Sequence, residues 1–307
     1  MERIRIGTRG SQLALYQANV VVAFLKNSNL ELEIEIVKIK TTGDKVLDSP
    51  LSKIGDKGLF TREIERAILD GEIDCAVHSL KDLPTELPDK LGIIAFSLRE
   101  DVRDALIAQD GMKLLELPKG STVATGSLRR RSQLMHLRSD LNLVDIRGNL
   151  NTRLRKLEEE GYAAMILAYA GIKRLDMADK VTEILEPKTM IPAVGQGIIA
   201  VEARKGDGKI KELLRGFNSA ESETAALAER AFLRKLEGGC QVPIGIYTSL
   251  KDKNLRGMVA SLDGETLIKE SVPLSVNDPE NSGQNLADKL LSLGADKILE
   301  EIRSASA

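Results

Sequence analysis

Two residues of the sequence carry groups that could take part directly in proton transfer or covalent chemistry. Asp82 follows a predicted buried strand in the segment HSLKDLP (78–84), beside Lys81. An acid at a strand end among cations can transfer a proton, although the same residue could instead cap a helix before the following Leu-Pro. Cys240 follows two glycines and precedes Pro243, so its thiol can be exposed; the alternative is a loop cysteine without a role.

A local excess of positive charge is the second feature that points to chemistry. The 307-residue chain has 44 Lys and Arg against 46 Asp and Glu, yet residues 127–156 hold eight cations and only two acids. Arg129 and Arg130 fall in the first turn of a predicted helix capped by Ser127, and Arg153 falls near the start of the next helix. Cations at a helix N-terminus oppose the helix dipole by about 0.3–1 kcal/mol each, so their placement favours the binding of an anion.

Further polar groups follow other predicted strands. Arg9 and Ser11 lie at a strand-to-helix turn, and Lys53 and Lys57 lie in a glycine-containing loop. Ligands of open α/β sheets bind beyond the carboxyl ends of the strands. We therefore expect these groups to serve one region that binds an anionic ligand.

Alternative explanations exist for the basic segment. Arg131 and Arg138, taken singly, are equally well explained as part of a solvated helix face. Nucleic acid is a rival partner, but the chain is acidic overall, shows no recognition fold and has only 3% aromatic residues for base stacking. The other rival is an anion-binding protein without catalysis, against which Cys240 speaks.

The elements that must position these residues alternate between strands and helices, as in α/β proteins. The predicted strands are 3–8, 34–39, 73–78, 91–98, 123–125, 143–146 and 163–168, with a crossing segment and a further strand in 191–203. Because that last strand could return to the first sheet, the first domain is predicted to be discontinuous. The predicted domains are domain 1 (1–98 and 197–216, an α/β lobe), domain 2 (103–192, an α/β lobe) and domain 3 (218–307, α+β).

Several function classes lose support because their motifs are missing. Cys75 and Cys240 form no CxxC pair, which suits a reducing cytoplasm, and Cys75 lies in an apolar strand where we expect it to be core. With two histidines and no HExxH motif, no metal site is expected. GxSxG, Walker A and GxGxxG motifs are also missing. No apolar run approaches the ~18 residues of a membrane span, so no membrane partner is expected.

Segments spread along the chain together resemble the porphobilinogen deaminase family, also called the hydroxymethylbilane synthases. The matching segments are RIGTRGSQLALYQ (5–17), KIGDKGLF (53–60), AVHSLKDLP (76–84), ATGSLRRRSQL (124–134), DIRGNLNTRL (145–154), AGIKRL (170–175), PAVGQG (192–197) and EGGCQVPIG (237–245). They occur in the order of the family. Beyond residue 250 the resemblance is one of length and layout.

The resemblance implies a transferase that joins four porphobilinogen molecules head to tail, with loss of ammonia, into hydroxymethylbilane. That product belongs to tetrapyrrole and heme biosynthesis. The family carries a covalent dipyrromethane cofactor on the cysteine that corresponds to Cys240, and its catalytic acid corresponds to Asp82. The resemblance also implies two lobes like those of periplasmic binding proteins, a small C-terminal α+β domain that carries Cys240, a monomeric state and a cytoplasmic location.

Binding residues are implied as well, position by position. The family's cofactor-binding positions fall on Lys81, Asp82, Thr125, Ser127, Arg129, Arg130 and Arg147, besides Cys240. Its substrate-binding positions fall on Arg9, Ser11, Lys53, Lys57, Phe60, Arg153, Arg174 and Gln196. Core packing is an equal alternative for Phe60, and Gln196 lies in the hinge motif between the first two domains. Gly126 departs from the family, because many members have a serine there.

The chemistry of such a reaction suits the residues found. Each pyrrole carries an acetate and a propionate, so the cofactor and the growing chain form a polyanion that many arginines can bind. Loss of ammonia leaves a cation near the pyrrole nitrogens. Asp82 is the acid of the matched motifs that lies among cations, and it could protonate the leaving amine and then stabilise that cation.

Overall fold

The structure, a computed structural model, describes residues 3–28, 31–45, 58–238 and 242–306. Lys53, Lys57 and Cys240 lie outside these described residues. The chain divides into two compact units, which are described separately. Unit 1 comprises Met1–Leu47, Asp56–Glu100 and Gly197–Thr224, and unit 2 comprises Asp48–Gly55, Asp101–Gln196 and Ala225–Ala307. Within the described ranges, no helix is both long enough and apolar enough to cross a lipid bilayer.

Strands and helices alternate through most of the chain. The strands are β1 (Arg3–Thr8), β2 (Glu33–Lys38), β3 (Cys75–Ser79), β4 (Leu91–Phe96), β5 (Asp104–Ala108), β6 (Thr122–Ala124), β7 (Asn142–Val144), β8 (Ala164–Ala168), β9 (Glu183–Leu185), β10 (Ile199–Arg204), β11 (Ile244–Ser249), β12 (Asn254–Ala260) and β13 (Leu267–Pro273). The helices are α1 (Gln12–Ser28), α2 (Thr42–Lys45), α3 (Arg62–Leu69), α4 (Leu128–Leu137), α5 (Leu150–Glu159), α6 (Tyr169–Arg174), α7 (Gly208–Leu213), α8 (Ala220–Lys235), α9 (Pro279–Leu290) and α10 (Asp296–Ser306).

Unit 1 contains one five-stranded sheet with the order β2-β1-β3-β10-β4. Strand β1 is parallel to β2 and β3, whereas β10 is antiparallel to β3 and β4, so the strand predicted in 191–203 does return to this sheet. Helix α1 packs on the sheet through Ala18, Val21 and Leu25, which recur at helical spacing. Each buried Val or Leu of this kind contributes about 1.5–3 kcal/mol, so the helix is fixed against β1 and β3.

Unit 2 contains a second five-stranded sheet, with the order β7-β6-β8-β5-β9. Strand β6 is parallel to β7 and β8, and β5 is antiparallel to β8 and β9. Each of the two larger sheets therefore has parallel strands on one side of a single antiparallel strand. Because β6, β7 and β8 are parallel, the residues that follow them lie at one edge of the sheet, where ligands of such sheets bind.

The C-terminal part of unit 2 forms a small antiparallel sheet, β11-β12-β13, covered by α9. Phe232 and Leu286 are buried in the core of this part. Helices α9 and α10 are separated by a short π-helical segment in which Gly294 has a φ of 100°, a conformation that favours glycine. These three sheets confirm the predicted α/β class with a small C-terminal α+β part. The boundaries of the three domains stay a prediction.

Ser219 and Asn218 precede α8, and their side-chain oxygens have different partners. The Ser219 hydroxyl accepts a hydrogen bond from the Ser222 N–H at 3.3 Å, which is the contact of an N-cap. The Asn218 side-chain oxygen instead accepts from the Phe96 N–H at 2.9 Å. Asn218 thus ties the end of β4 to the chain before α8, a long-range contact that local sequence could not reveal.

Candidate functional site

Unit 1 has a pocket at the edge of its sheet where β1 and β3 end. Arg9 and Ser11, which follow β1, line it together with Phe60 and Asp82. Asp82 is the last residue of a 3₁₀-helix, Leu80–Asp82, that continues directly from β3, and its side chain is exposed. The structure therefore brings four of the predicted site residues to one pocket. The Ser11 hydroxyl also accepts from the Ala14 N–H, as a helix cap does.

Arg9 is held by two partners in this pocket. Its Nε donates to the Asp44 carboxylate at 3.1 Å, and its guanidinium carbon lies 4.1 Å from the centre of the Phe60 ring. Burial raises the pKa of Asp44, but hydrogen bonds and charge from Arg9, with a further bond from Thr41, outweigh it and lower the pKa overall. Phe60 in turn packs on Gly43 so closely that no side chain could replace that glycine without a shift of the ring. Phe60 thus orients a cation and packs at the same time.

A buried ion-pair cluster forms the centre of the site in unit 2. Asp104, the first residue of β5, is fully buried, and each of its oxygens contacts one of the predicted arginines. Arg129 Nη1 lies 2.8 Å from Oδ2 and Arg130 Nη2 lies 2.8 Å from Oδ1. Asp104 is not among the residues predicted from the sequence; the available signal was an acid at the start of the apolar run ALIA (105–108).

The charges of this cluster do not balance. Burial raises the pKa of Asp104, but the attraction of Arg129 and Arg130, together with their hydrogen bonds, outweighs it and holds the pKa well below the usual range. One carboxylate then faces two guanidinium groups, each only 5–6% exposed. Arg129 Nε, moreover, finds no hydrogen-bond acceptor among the described residues. A buried N–H without an acceptor costs about 1–3 kcal/mol, so a carboxylate of a bound cofactor would be stabilised here.

The residues around the N-terminus of α4 take the predicted places. Ser127 caps the helix, with its hydroxyl accepting from the Arg130 N–H at 3.5 Å. The buried Thr125 hydroxyl accepts from the Ser127 N–H at 3.3 Å. These contacts fix the turn between β6 and α4. They therefore determine the direction in which the first turn of the helix presents its arginines.

Three more predicted arginines follow the neighbouring strands of unit 2. Arg147 lies half-buried between β7 and α5, and Arg174 is the last residue of α6, which follows β8 directly. Arg153, in the first turns of α5, donates from Nε to the Gly148 carbonyl at 2.9 Å. In unit 1, Lys81 lies half-buried beside Asp82. Their contacts with a cofactor or substrate stay a prediction.

Gln196 is completely buried, and its side chain belongs to the Asp104 cluster. Its amide nitrogen donates to Asp104 Oδ1 at 3.0 Å and to the Val102 carbonyl at 2.8 Å.

Arg131 and Arg138 have structural contacts: Arg131 donates to the Leu143 carbonyl, and Arg138 pairs with Asp140. Their contacts brace α4.

Cys75 is a core residue of unit 1. Cys75 lies in β3 with no exposed surface, and burial raises the pKa of its thiol to about 12. Covalent attachment needs an accessible thiolate, so Cys75 is unsuited to carry a cofactor. Cys240 is outside the described residues, and its role stays a prediction.

Gly126→Ser is expected to destabilise the protein rather than add a ligand contact. A Cβ at this position would lie 2.9 Å from the Ile146 carbonyl oxygen, which belongs to the backbone, so the turn after β6 must shift. Overpacking of this kind costs about 1–3 kcal/mol. Urea unfolding would measure it, with Gly208→Ser as the control because a Cβ there meets nothing within 4 Å. A stability equal to that of the wild type would contradict the expectation.

Lowering the pH is expected to reduce the free energy of unfolding of the wild type more than that of the variant Asp104→Asn. The pKa of Asp104 is lower in the folded protein than in the unfolded chain. Its contribution is therefore fully present above the unfolded carboxyl pKa, about 4, and is lost as the pH falls through the folded value. The change in unfolding free energy between pH 7 and pH 3, from urea titrations, should be smaller in Asp104→Asn than in Asp140→Asn, the control. Equal changes would show that Asp104 does not titrate in this way.

Comparisons with known proteins identify the family. The model of the porphobilinogen deaminase dipyrromethane cofactor binding domain matches residues 4–212, and that of the porphobilinogen deaminase C-terminal domain matches residues 224–292. Porphobilinogen deaminase of Desulfitobacterium hafniense is 52% identical, with 99% of each chain covered. The enzymes of Carboxydothermus hydrogenoformans and Chlorobaculum parvum are 51% and 50% identical, with 98% of each chain covered.

Solved structures of periplasmic binding proteins also overlap the chain. The methionine-binding protein MetQ covers 74% of this chain and 94% of its own, with 15% identity and a TM-score of 0.45. The low identity and TM-score mean that this likeness supports no functional argument. The two family models and the relatives that match nearly the whole chain show the family: the chain belongs to the porphobilinogen deaminase family.

Proposed function

We propose that this chain joins four porphobilinogen molecules head to tail and releases one ammonia for each. One water then adds to the end of the chain and frees hydroxymethylbilane for tetrapyrrole biosynthesis. Membership of the porphobilinogen deaminase family supports this reaction. The observation that carries it is the pocket of unit 1, where the carboxylate of Asp82 lies with the cation of Arg9. A substrate that has carboxylates and a departing amine needs both kinds of group.

Arg9 and Ser11 are proposed to bind substrate carboxylates. The guanidinium of Arg9 can form paired hydrogen bonds with a carboxylate, and its stacking on Phe60 restricts its direction. Asp44 holds the same guanidinium in the structure. Asp44 therefore balances the charge of Arg9 before the substrate arrives. A substrate carboxylate must then either share the Arg9 guanidinium with Asp44 or displace Asp44 from it.

Asp82 is proposed as the catalytic acid. Its side chain is exposed at the pocket, so it can reach a bound substrate, and the 3₁₀-helix after β3 fixes its backbone. In the proposed step, the protonated carboxyl gives its proton to the amine that leaves as ammonia. The resulting carboxylate then stabilises the positive charge that remains on the substrate.

The donor set of unit 2 fits the dipyrromethane cofactor, since its net positive charge and buried Arg129 Nε–H match a ligand carboxylate. When bound, the cofactor supplies the pyrrole to which the first substrate unit is joined. The residues proposed to hold its carboxylates are Thr125, Ser127, Arg129, Arg130 and Arg147. Cys240 is proposed to hold it through a thioether, since the buried thiol of Cys75 is unsuited.

A monomer in the cytoplasm is proposed as well. Family precedent supports the monomer, and two cysteines without a CxxC spacing suit a reducing compartment. Sedimentation velocity and cell fractionation would test the two statements. A dimer, or recovery outside the cytoplasm, would refute the corresponding statement.

The reaction can be tested by its stoichiometry. Purified protein is incubated with porphobilinogen, and ammonia and hydroxymethylbilane are measured over the same interval. The proposal predicts four ammonia molecules for each hydroxymethylbilane. Binding of porphobilinogen without release of ammonia would instead favour an anion-binding protein without catalysis.

A further inference from the structure

We propose that Asp104 is a positioning residue for the reaction, because its carboxylate fixes the direction of Arg129 and Arg130 toward ligand carboxylates. This inference rests on the proposed function and extends it to a residue that the matched motifs do not include. Asp104 has no exposed surface, so it cannot contact a ligand itself. Its effect on the reaction must pass through the two arginines.

The two oxygens of Asp104 are divided between the arginines. Oδ2 accepts from Arg129 Nη1 at 2.8 Å, whereas Oδ1 accepts from Arg130 at 2.8 Å (Nη2) and 3.1 Å (Nε). Gln196 also donates to Oδ1, at 3.0 Å. A single carboxylate therefore determines the angle between two adjacent guanidinium groups. It also links both groups to Gln196, the last residue of the 101–196 part of unit 2.

Backbone contacts do not set this arrangement alone. Arg129 Nη1 also donates to the Ile191 carbonyl at 2.7 Å, and Arg130 Nη1 donates to the Ile166 carbonyl at 3.1 Å. Both carbonyls are neutral, so without Asp104 the two buried cations would repel each other at short range. Among the described residues that these arginines contact, the carboxylate of Asp104 supplies both a negative charge and acceptors on two sides.

Asparagine at this position separates shape from charge. Asp104→Asn keeps the volume and one acceptor oxygen, but its amide group turns a donor toward one of the two arginines. That arginine must move, and the two guanidinium groups lose the arrangement that the carboxylate sets. We expect kcat/KM for porphobilinogen to fall about 100-fold, since misplacement of a binding group by about 1 Å can have this effect.

The experiment compares Asp104→Asn, Asp104→Ala and the control Asp140→Asn, which removes a carboxylate from Arg138, the residue directly after helix α4. Cofactor loading is read from intact mass, turnover from kcat and KM, and folding from near-ultraviolet circular dichroism. Formate is titrated into Asp104→Ala, because a small carboxylate can occupy the space left by the side chain. We expect formate to restore kcat/KM in a saturable way, and Asp140→Asn to stay within about twofold of the wild type.

Three results would overturn the inference. A folded Asp104→Asn with kcat/KM and loading within about twofold of the wild type would show that the carboxylate does not position the arginines. Formate that raises the melting temperature of Asp104→Ala without raising kcat/KM would assign Asp104 a role in stability only. A wild type that neither carries added mass nor consumes porphobilinogen would overturn the proposed function and this inference together.

Discussion

Asp82→Asn is expected to abolish turnover of porphobilinogen while the fold and the covalent cofactor remain. The amide has the shape of the carboxyl group but can neither give up a proton to the leaving amine nor carry the negative charge. General acid catalysis is worth about 10²–10⁴ in rate, and the lost electrostatic stabilisation of the cation adds to this. Because the Asp82 side chain is exposed, the free energy of unfolding should change by less than about 0.5 kcal/mol.

Initial rates of ammonia release measure this effect at saturating porphobilinogen. Asp89→Asn is a matched control, because Asp89 is also an exposed aspartate of unit 1 but does not line the pocket. It should keep the wild-type rate. If Asp82→Asn kept more than a tenth of the wild-type kcat, Asp82 would not be the catalytic acid.

Cys240→Ser is expected to lose all turnover because it cannot retain the cofactor. A serine hydroxyl is a far weaker nucleophile than a cysteine thiolate, so no stable link to dipyrromethane should form. Cys75→Ala is the matched control: it removes the other thiol, which is buried in β3 and has a pKa of about 12. That variant should keep turnover, with a modest loss of stability from the smaller side chain.

Rates and product formation of the two variants distinguish the two cysteines. Full turnover in Cys240→Ser, or loss of turnover in a folded Cys75→Ala, would refute the assignment of Cys240. Incubation of Cys240→Ser with porphobilinogen before the assay should not restore activity. Restored activity would mean that the reaction needs no covalent link at this residue.

Local signals in the sequence were sufficient for the turns that carry the site. Ser127 caps α4 as predicted, because a serine before a helical pattern is a short-range signal. Ser11 gives a similar short-range contact, since its hydroxyl accepts from the Ala14 N–H at the start of α1. The turn from strand to helix is therefore predictable from the sequence, whereas the ligand contacts of the cations stay a prediction.

The partners of those cations could not be predicted, since they depend on the order of the strands in space. Asp104 lies 25 residues from Arg129, and Asp44 lies 35 residues from Arg9. The sequence shows the excess of charge in residues 127–156, but Asp104, the acid that orients its first two arginines, lies outside this segment. A sequence shows that a charge is present, whereas the sheet order determines which charge it meets.

Both acids have the same physical consequence for the site. Asp44 and Asp104 each hold an arginine in a fixed direction and offset part of its charge before a ligand is bound. A cation prepared in this way needs less rearrangement when a carboxylate arrives, which is the basis of preorganised binding. Ligand binding is thus proposed to depend on pairs of residues rather than on arginines alone.

The intact mass of the purified native protein, followed by a peptide map, shows whether a covalent cofactor is present and where it is attached. We expect an excess equal to two linked pyrrole units, located on the peptide that contains Cys240 and missing from Cys240→Ser. If the protein is isolated without its cofactor, incubation with porphobilinogen should produce the same excess. A mass equal to that of the bare 307-residue chain before and after that incubation would contradict the account, as would an excess on the peptide that contains Cys75.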